Sequence, residues 1–389
     1  MSFVPANANV SIDADNRRAL SATCLIMAVG GLEYCIMPLL LGGMATYLAF
    51  NEFQVGAIGA AYMAGYTLSS FTAVFWSYRI SWRKATLLSA ASVAALYGVF
   101  LFSKDFLLIS SLMFFIGIAR AVIYSISLCG LGETKNPERS YALGSLVTFI
   151  LGGVGMFALP YLTQQWRLYG LIVPIIVISV MAGAINKWLP VGGTRQDTLA
   201  ENTPSGKFSQ VLLPLLGLLA FWIGMSGIWA FLERIGNAGG LSPQAIGTIL
   251  SIGYAAVIIA AFLAAWLGDR IGSAIPIIIG VAVMLLGIFY LRMTLTFNSF
   301  LVFSILFQAG WALLYPYTMA VINAADTSGR FVSLIATAQG LGASIGSGLA
   351  GIIVTHYGYD GIYLMGFVCL GVFLLIYAWT LYKQKTHTI

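Results

Sequence analysis

Twelve runs of roughly twenty apolar residues follow one another along this chain, and each is long enough to cross the ~30 Å hydrocarbon layer of a bilayer as a helix. They occupy residues 20–48, 55–77, 85–103, 106–130, 141–164, 168–189, 211–235, 244–267, 274–295, 300–324, 331–355 and 361–382. Lipid offers backbone N–H and C=O groups no partner, so such a chain folds as helices whose hydrogen bonds close internally. The alternating pattern of a membrane barrel is absent. The predicted fold class is an all-α polytopic membrane protein with twelve transmembrane helices. Of the 389 residues, 60% are hydrophobic and 8% are charged, too few charges to coat a water-soluble globule. Soluble enzymes, nucleic-acid binders and secreted disulfide scaffolds are excluded together.

An even number of spans places both termini on one side, and the cations say which. Lys104, Arg167, Arg234 and Arg292 fall in the loops of one side and Arg120 falls inside a span, while the other fourteen of nineteen lie at the termini or in the opposite loops. Positive loops stay in the cytoplasm, so both termini are expected there, in a bacterial inner (plasma) membrane. The net charge of +6 needs no polyanionic partner. No cleavage site follows the first run, which reads as a retained helix, and Asp13 and Asp15 read as solvated tail charges. Cys24, Cys35, Cys129 and Cys369 lie in apolar runs without a CxxC, and His356 and His387 stand apart. These residues predict no metal, cofactor or redox site. No clustered nucleophile and base are present, so no enzyme is expected.

Residues 190–210 form the one long polar stretch between spans and fall at the midpoint. They predict a cytoplasmic tail (1–19), a six-helix bundle (20–189), a linker (190–210), a second bundle (211–382) and a short tail (383–389). Duplication is supported by Gly65-Tyr66 against Gly253-Tyr254 and Ser145-Leu146 against Ser333-Leu334, both at a shift of 188. At a shift of 191, Tyr78-Arg79-Ile80-Ser81 faces Asp269-Arg270-Ile271-Gly272.

Ionisable residues at bilayer depth are costly and call for a partner or a role. Glu33 lies about thirteen residues into the first span and Arg120 about fourteen into the fourth from the other face, so at 1.5 Å per residue the two reach similar depth. They predict a pair, either functional, with Glu33 as a proton site, or purely structural. Helical spacing groups Gly117, Arg120, Tyr124 and Ser127 on one face of the fourth span, Trp222, Ser226, Trp229 and Glu233 on one of the seventh, and Gln308, Trp311 and Tyr315 on one of the tenth. Arg120, Tyr124, Trp222, Trp229, Gln308, Trp311 and Tyr315 are the candidate substrate-binding residues, and Glu33 and Glu233 the candidate proton-coupling ones. The alternatives are packing aromatics, and a snorkelling pair at the membrane interface for Glu233 with Arg234. Gly340, Gly342, Gly346, Gly348 and Gly351 in the eleventh span read as a surface for close helix contact.

The segment Ala265-Trp-Leu-Gly-Asp269-Arg270-Ile-Gly272 is similar to the G-x-L-x-D-R-x-G loop of the major facilitator superfamily, and with Arg120 in the fourth span the chain resembles that family from Leu20 to about Tyr382. The resemblance implies two pseudo-symmetric six-helix bundles, a cavity lined mainly by spans one, four, seven and ten, and a conformational latch at Asp269, Arg270 and Gly272 with Arg79 in the first-half copy. That copy carries Tyr78 in place of the acid and Ser81 in place of the glycine. The family's antiporter signature in the fifth span is not reproduced, since Pro160 comes too late. The family implies a secondary active transporter working by alternating access, and no G-x-x-x-x-G-K-[ST] loop is present for ATP drive. The expected partners are a small-molecule substrate, protons and the lipid bilayer, and the expected state is a monomer. The leading substrate class is a small organic anion or amphipathic metabolite, probed by Arg120; the alternative is proton-driven efflux of drugs or other toxic compounds.

Overall fold

The computed structural model describes residues 14, 16–193, 208–293, 295–325 and 334–386. Their regular structure is helical throughout, with no strand among the described residues. The helices are α1 (Arg17–Gly30), α2 (Leu32–Cys35), α3 (Met37–Leu48), α4 (Glu52–Trp76), α5 (Trp82–Phe100), α6 (Phe106–Gly132), α7 (Pro137–Trp166), α8 (Leu168–Ile185), α9 (Phe208–Ala238), α10 (Pro243–Leu267), α11 (Ala274–Arg292), α12 (Phe297–Ala325) and α13 (Leu334–Thr386). Polar residues in the connections start several of them by taking up the free N–H groups of a first turn. Asn51 and Gln54 form a reciprocal box at α4, and Asp105 and Ser242 accept from Leu108 and Ala245 at α6 and α10.

Thirteen helices make twelve spans. Gly358 holds α13 at a corner with φ +64° and ψ −168°, a conformation open to glycine alone, so α13 is two spans meeting there. The first span departs from the single helix expected at 20–48. It is interrupted at Gly31 and again at Ile36 (φ −101°, ψ 11°), with Pro38 in the first turn of α3. The reason is local: Gly30-Gly31 weakens the ladder, and Pro38 has no N–H with which to continue it. The expected linker lies largely outside the described residues, as do Asp13, Asp15, Arg195, Lys207, Ser333 and His387.

Spans one to six pack together through α4 on α6, α5 on α6 and α8, and α1 on α6 and α7, while α9 on α13, α11 on α12 and α10 on α12 build the second bundle. The matched glycines mark equivalent places in the two. Gly65 on α4 lies against the backbone of Phe114 and Ile118 on α6, and Gly253 on α10 lies against Ser304 and Gln308 on α12. The bundles meet through α4 with α13, α7 with α10 and α3 with α9. Glycines of the eleventh span permit this approach, since Gly351 touches the backbone of Gly56 and Glu52 and Gly340 abuts Thr67, while Gly342 and Gly346 let α9 close in at Trp222 and Ile223 within the second bundle.

Candidate functional site

Glu33 and Arg120 form a buried ion pair. Arg120 Nε lies 2.7 Å and Nη2 2.6 Å from Glu33 Oε1, and both side chains are fully buried. Ser179 Oγ on α8 accepts from Arg120 Nη2 at 2.9 Å, and the Tyr97 hydroxyl on α5 donates to Glu33 Oε1 at 3.4 Å. These partners all belong to the first bundle. Glu33 Oε2, Arg120 Nη1 and the Tyr62 hydroxyl have no hydrogen-bond partner. A buried pair repays its desolvation only with close geometry and added hydrogen bonds, and one oxygen of the carboxylate and one nitrogen of the guanidinium are left without them.

The backbone around Glu33 reaches the other bundle. Pro38 denies the Tyr34 carbonyl its donor four residues on, leaving it a backbone N–H of the α2 cap, and Trp229 Nε1 on α9 adds a second donor at 2.9 Å. The next carbonyl, Cys35, accepts from the Tyr254 hydroxyl on α10 at 2.9 Å. One short interrupted segment thus carries the ion pair on its side chain and two bonds across the bundle interface on its main chain.

Beside it the two bundles share an aromatic cluster. Trp222 is its hub, with ring centroids 5.9 Å from Tyr34, 6.5 Å from Trp311 and 6.4 Å from Tyr315. Trp311 lies 6.1 Å from Tyr315 and 6.0 Å from Phe149, and Trp229 and Phe149 each lie 6.2 Å from Tyr254. Tyr124 on α6 packs instead against Tyr66 on α4 at 6.2 Å, a ring contact inside the first bundle. The adjoining cavity, lined by Tyr34, Met63, Ser226 and Trp229 among others, measures about 10 Å³, room for about one water. The centre is closed in this conformation.

The predicted residues therefore divide. Trp222, Trp229, Trp311 and Tyr315 come together at the interface, while Tyr124 packs against Tyr66 within the first bundle. Arg120 turns inward to Glu33, and Gln308 turns to α10, where its Nε2 donates to Ser304 Oγ at 3.0 Å and the Leu250 carbonyl at 3.5 Å. Glu233 is 5% exposed, so the snorkelling reading does not describe it. It lies against Gly42 on α3, where a side chain would collide with its carboxylate, and its Oε2 lacks a partner. Arg234 instead crosses the interface to Glu52, with Nη2 2.5 Å and Nε 3.1 Å from Oε1, and the Tyr359 hydroxyl donates to the same oxygen at 3.0 Å. This network, with Gln244 bonded to Gln164 at 2.8 Å, ties the bundles at the end opposite the chain termini. Sequence reasoning missed Glu52, Tyr359, Tyr34 and Tyr254. Pro38 was the available signal for the segment holding Tyr34.

At the termini end, Gly268 (φ +51°) and Gly272 (φ +65°) form the turn of the Asp269-Arg270 loop, a backbone suited to glycine. The Arg270 guanidinium sits 5.4 Å over the Trp266 ring; the Asp269 side chain lies outside the described residues. The first-half copy is built differently. Ser81 has φ −70°, and Trp82 N–H and Arg83 Nε bond to the Val191 and Leu189 carbonyls at 2.9 and 2.7 Å. Burial, with Cys129 and Glu133 nearby, pushes the Tyr78 hydroxyl above its ordinary pKa, so it stays neutral where the other copy has an acid. Arg79 is exposed. No group of three or more His, Cys, Asp or Glu side chains able to hold a metal occurs among the described residues.

Residues 214–388 match the family model of the Major Facilitator Superfamily. The chain is 25% identical over 171 residues, 43% of its length, to the niacin transporter NiaP of Acinetobacter baylyi, and the match spans 39% of that protein. The fold is similar to the nucleoside transporter NupG (TM-score 0.75, 12% identity, 94% of this chain and 99% of that one). It is also similar to a bacterial homologue of the human lysosomal transporter Spinster in an inward-facing, unoccupied conformation (TM-score 0.71, 13% identity, 95% and 98%).

Proposed function

We propose that this chain, which belongs to the major facilitator superfamily, is a proton-coupled secondary active transporter that carries a small ring-bearing organic solute by alternating access of its two bundles. The observation that carries the reading is the interrupted first span. Its Glu33 is paired inside one bundle while the carbonyls of Tyr34 and Cys35 are held by Trp229 and Tyr254 of the other. A proton on Glu33 weakens its attraction to Arg120, lets the segment shift, and so alters the bonds that hold the bundles together. Binding of solute at the aromatic cluster acts on the same segment through Tyr34. Two ligands that bias one two-state element are thermodynamically coupled.

Arg120 is engaged by Glu33 and Ser179, which removes it from the interface as the cation for an anionic solute. The aromatic cluster supports a ring-bearing body instead, and two similar proteins are transporters of niacin and of nucleosides, which both contain flat nitrogen heterocycles. The cation bias of the loops supports termini in the cytoplasm of a bacterial inner membrane. The Glu52, Arg234 and Tyr359 network then closes the periplasmic end. The protein acts as a monomer, since both bundles belong to one chain.

The test is reconstitution into vesicles loaded with a pH-sensitive dye and addition of ring-bearing solutes with no imposed gradient. A carried solute shifts the internal pH and drives further proton movement when its own gradient is reversed. Solute entry with no pH change would contradict proton coupling.

A further inference from the structure

We infer that the aromatic cluster is a hydrogen-bond-donating cage selective for uncharged, flat heteroaromatic solutes that carry acceptor atoms on their edges; this rests on the transporter reading and specifies its substrate class. The polar atoms of the cluster fall into two sets. Trp229 Nε1 and the Tyr254 hydroxyl are engaged by the Tyr34 and Cys35 carbonyls, and the Tyr315 hydroxyl is met by the Gln339 amide. Trp222 Nε1, Trp311 Nε1 and the Tyr34 hydroxyl are sealed from solvent and have no partner. They come from three different spans, α9, α12 and α2, and their rings form one chain of contacts through Trp222.

Buried donors without partners are rare in folded proteins and ask for an explanation. Indole N–H groups donate only, so what satisfies them is an acceptor. Aromatic walls favour a flat ring, by stacking or edge-to-face contact. The charges at this depth argue for neutrality. Glu33 and Arg120 neutralise each other inside the first bundle, and Glu233 lies against Gly42 further along α9. A carboxylate or ammonium entering the cage would lose its water without gaining an opposite charge. The cage is closed on itself here, with ring centroids 5.9 to 6.5 Å apart around Trp222, so a solute enters as the bundles part and the cluster refills when they close without one.

The experiment uses the full-length purified protein in lipid nanodiscs, with binding read by intrinsic tryptophan fluorescence and thermal stability. The probes are nicotinamide and hypoxanthine as neutral heterocycles, benzamide lacking the ring acceptor, cyclohexanecarboxamide lacking the flat ring, nicotinate as the anion and benzyltrimethylammonium as the cation. At least one neutral heterocycle is expected to bind more tightly than all four comparison compounds. Trp222→Phe, Trp311→Phe and Tyr34→Phe each weaken it roughly tenfold, the worth of one hydrogen bond, while Trp379→Phe, at an exposed ring, leaves it unchanged. Because Tyr34→Phe removes a single oxygen, it keeps the test valid if a tryptophan variant folds poorly. Tighter binding of benzamide, the cyclohexane amide, the anion or the cation, no binding by either heterocycle, or full affinity in the three variants would overturn the cage. Its failure is distinct from failure of the transporter reading, which would leave vesicles unable to move any solute.

Discussion

Trp229 donates its indole N–H at 2.9 Å to the carbonyl of Tyr34, a backbone oxygen whose helical donor is missing because residue 38 is proline. A defect inside one bundle is thereby repaired by a side chain of the other. Parting the bundles at this point leaves that carbonyl with only the backbone N–H of the α2 cap and strips the buried Trp229 indole of its acceptor, at a cost of about 1–3 kcal/mol, unless the first span rearranges to cover it. Trp229→Phe is expected to favour the open interface. Pro38→Ala, which supplies the missing N–H, is expected to make Trp229→Phe nearly neutral. A double-mutant cycle read by thermal unfolding and by cysteine labelling from each side checks this; additive effects of the two changes would contradict it.

The Glu52 and Arg234 pair is about one-fifth to one-quarter exposed (20% and 24%), so screening leaves it worth only about 1 kcal/mol or less. That is still roughly a fivefold shift in a two-state balance. Glu52→Gln is expected to raise labelling at the end opposite the termini by about that factor, an effect imitated in the parent protein by high salt. The swap Glu52→Arg with Arg234→Glu should recover most of the closed population.

Gly272→Ala places a Cβ at φ +65°, costing about 1–2 kcal/mol, whereas Ser81→Ala at φ −70° carries no such strain. Thermal unfolding of the two variants should separate them by about 1–3 °C. Asp269→Asn should shift the inward and outward populations if the latch implied by its motif operates, and unchanged labelling from both sides would remove that role.

Reporters fused near Thr198 and after Ile389 should both lie in the cytoplasm, because fourteen of nineteen cations fall in the tails and loops that the charge bias assigns to that side. External reporter activity at either position would overturn the assigned orientation.

Much of this architecture was legible in the residues. Runs of apolar residues set the spans, and the matching depth of Glu33 and Arg120 in their spans pointed to the pair. Helical spacing also grouped Trp311 and Tyr315 correctly, but it assigned Gln308 to the same cavity face. A face of a helix is wide, and spacing does not say which neighbour each part of it meets; Gln308 meets α10. Glu52 looked like an ordinary first-turn charge, since its partner is 182 residues away and nothing local encodes that pairing. Arg120 was legible as a buried cation but not as one enclosed by α5 and α8, because Tyr97 and Ser179 carry no signature of their own.

Coupling through Glu33 is tested most directly by Glu33→Gln in vesicles, comparing solute exchange at equal concentrations with accumulation driven by a proton gradient. The variant keeps a hydrogen-bonding side chain of similar size but cannot change charge. Exchange should persist while gradient-driven accumulation and its pH dependence disappear. A purely structural pair predicts the reverse order of damage: an unpaired Arg120 would cost about 3–5 kcal/mol of stability, and adding Arg120→Gln would restore both folding and accumulation. A well-folded Glu33→Gln protein that still accumulates solute fully against its gradient would contradict the account.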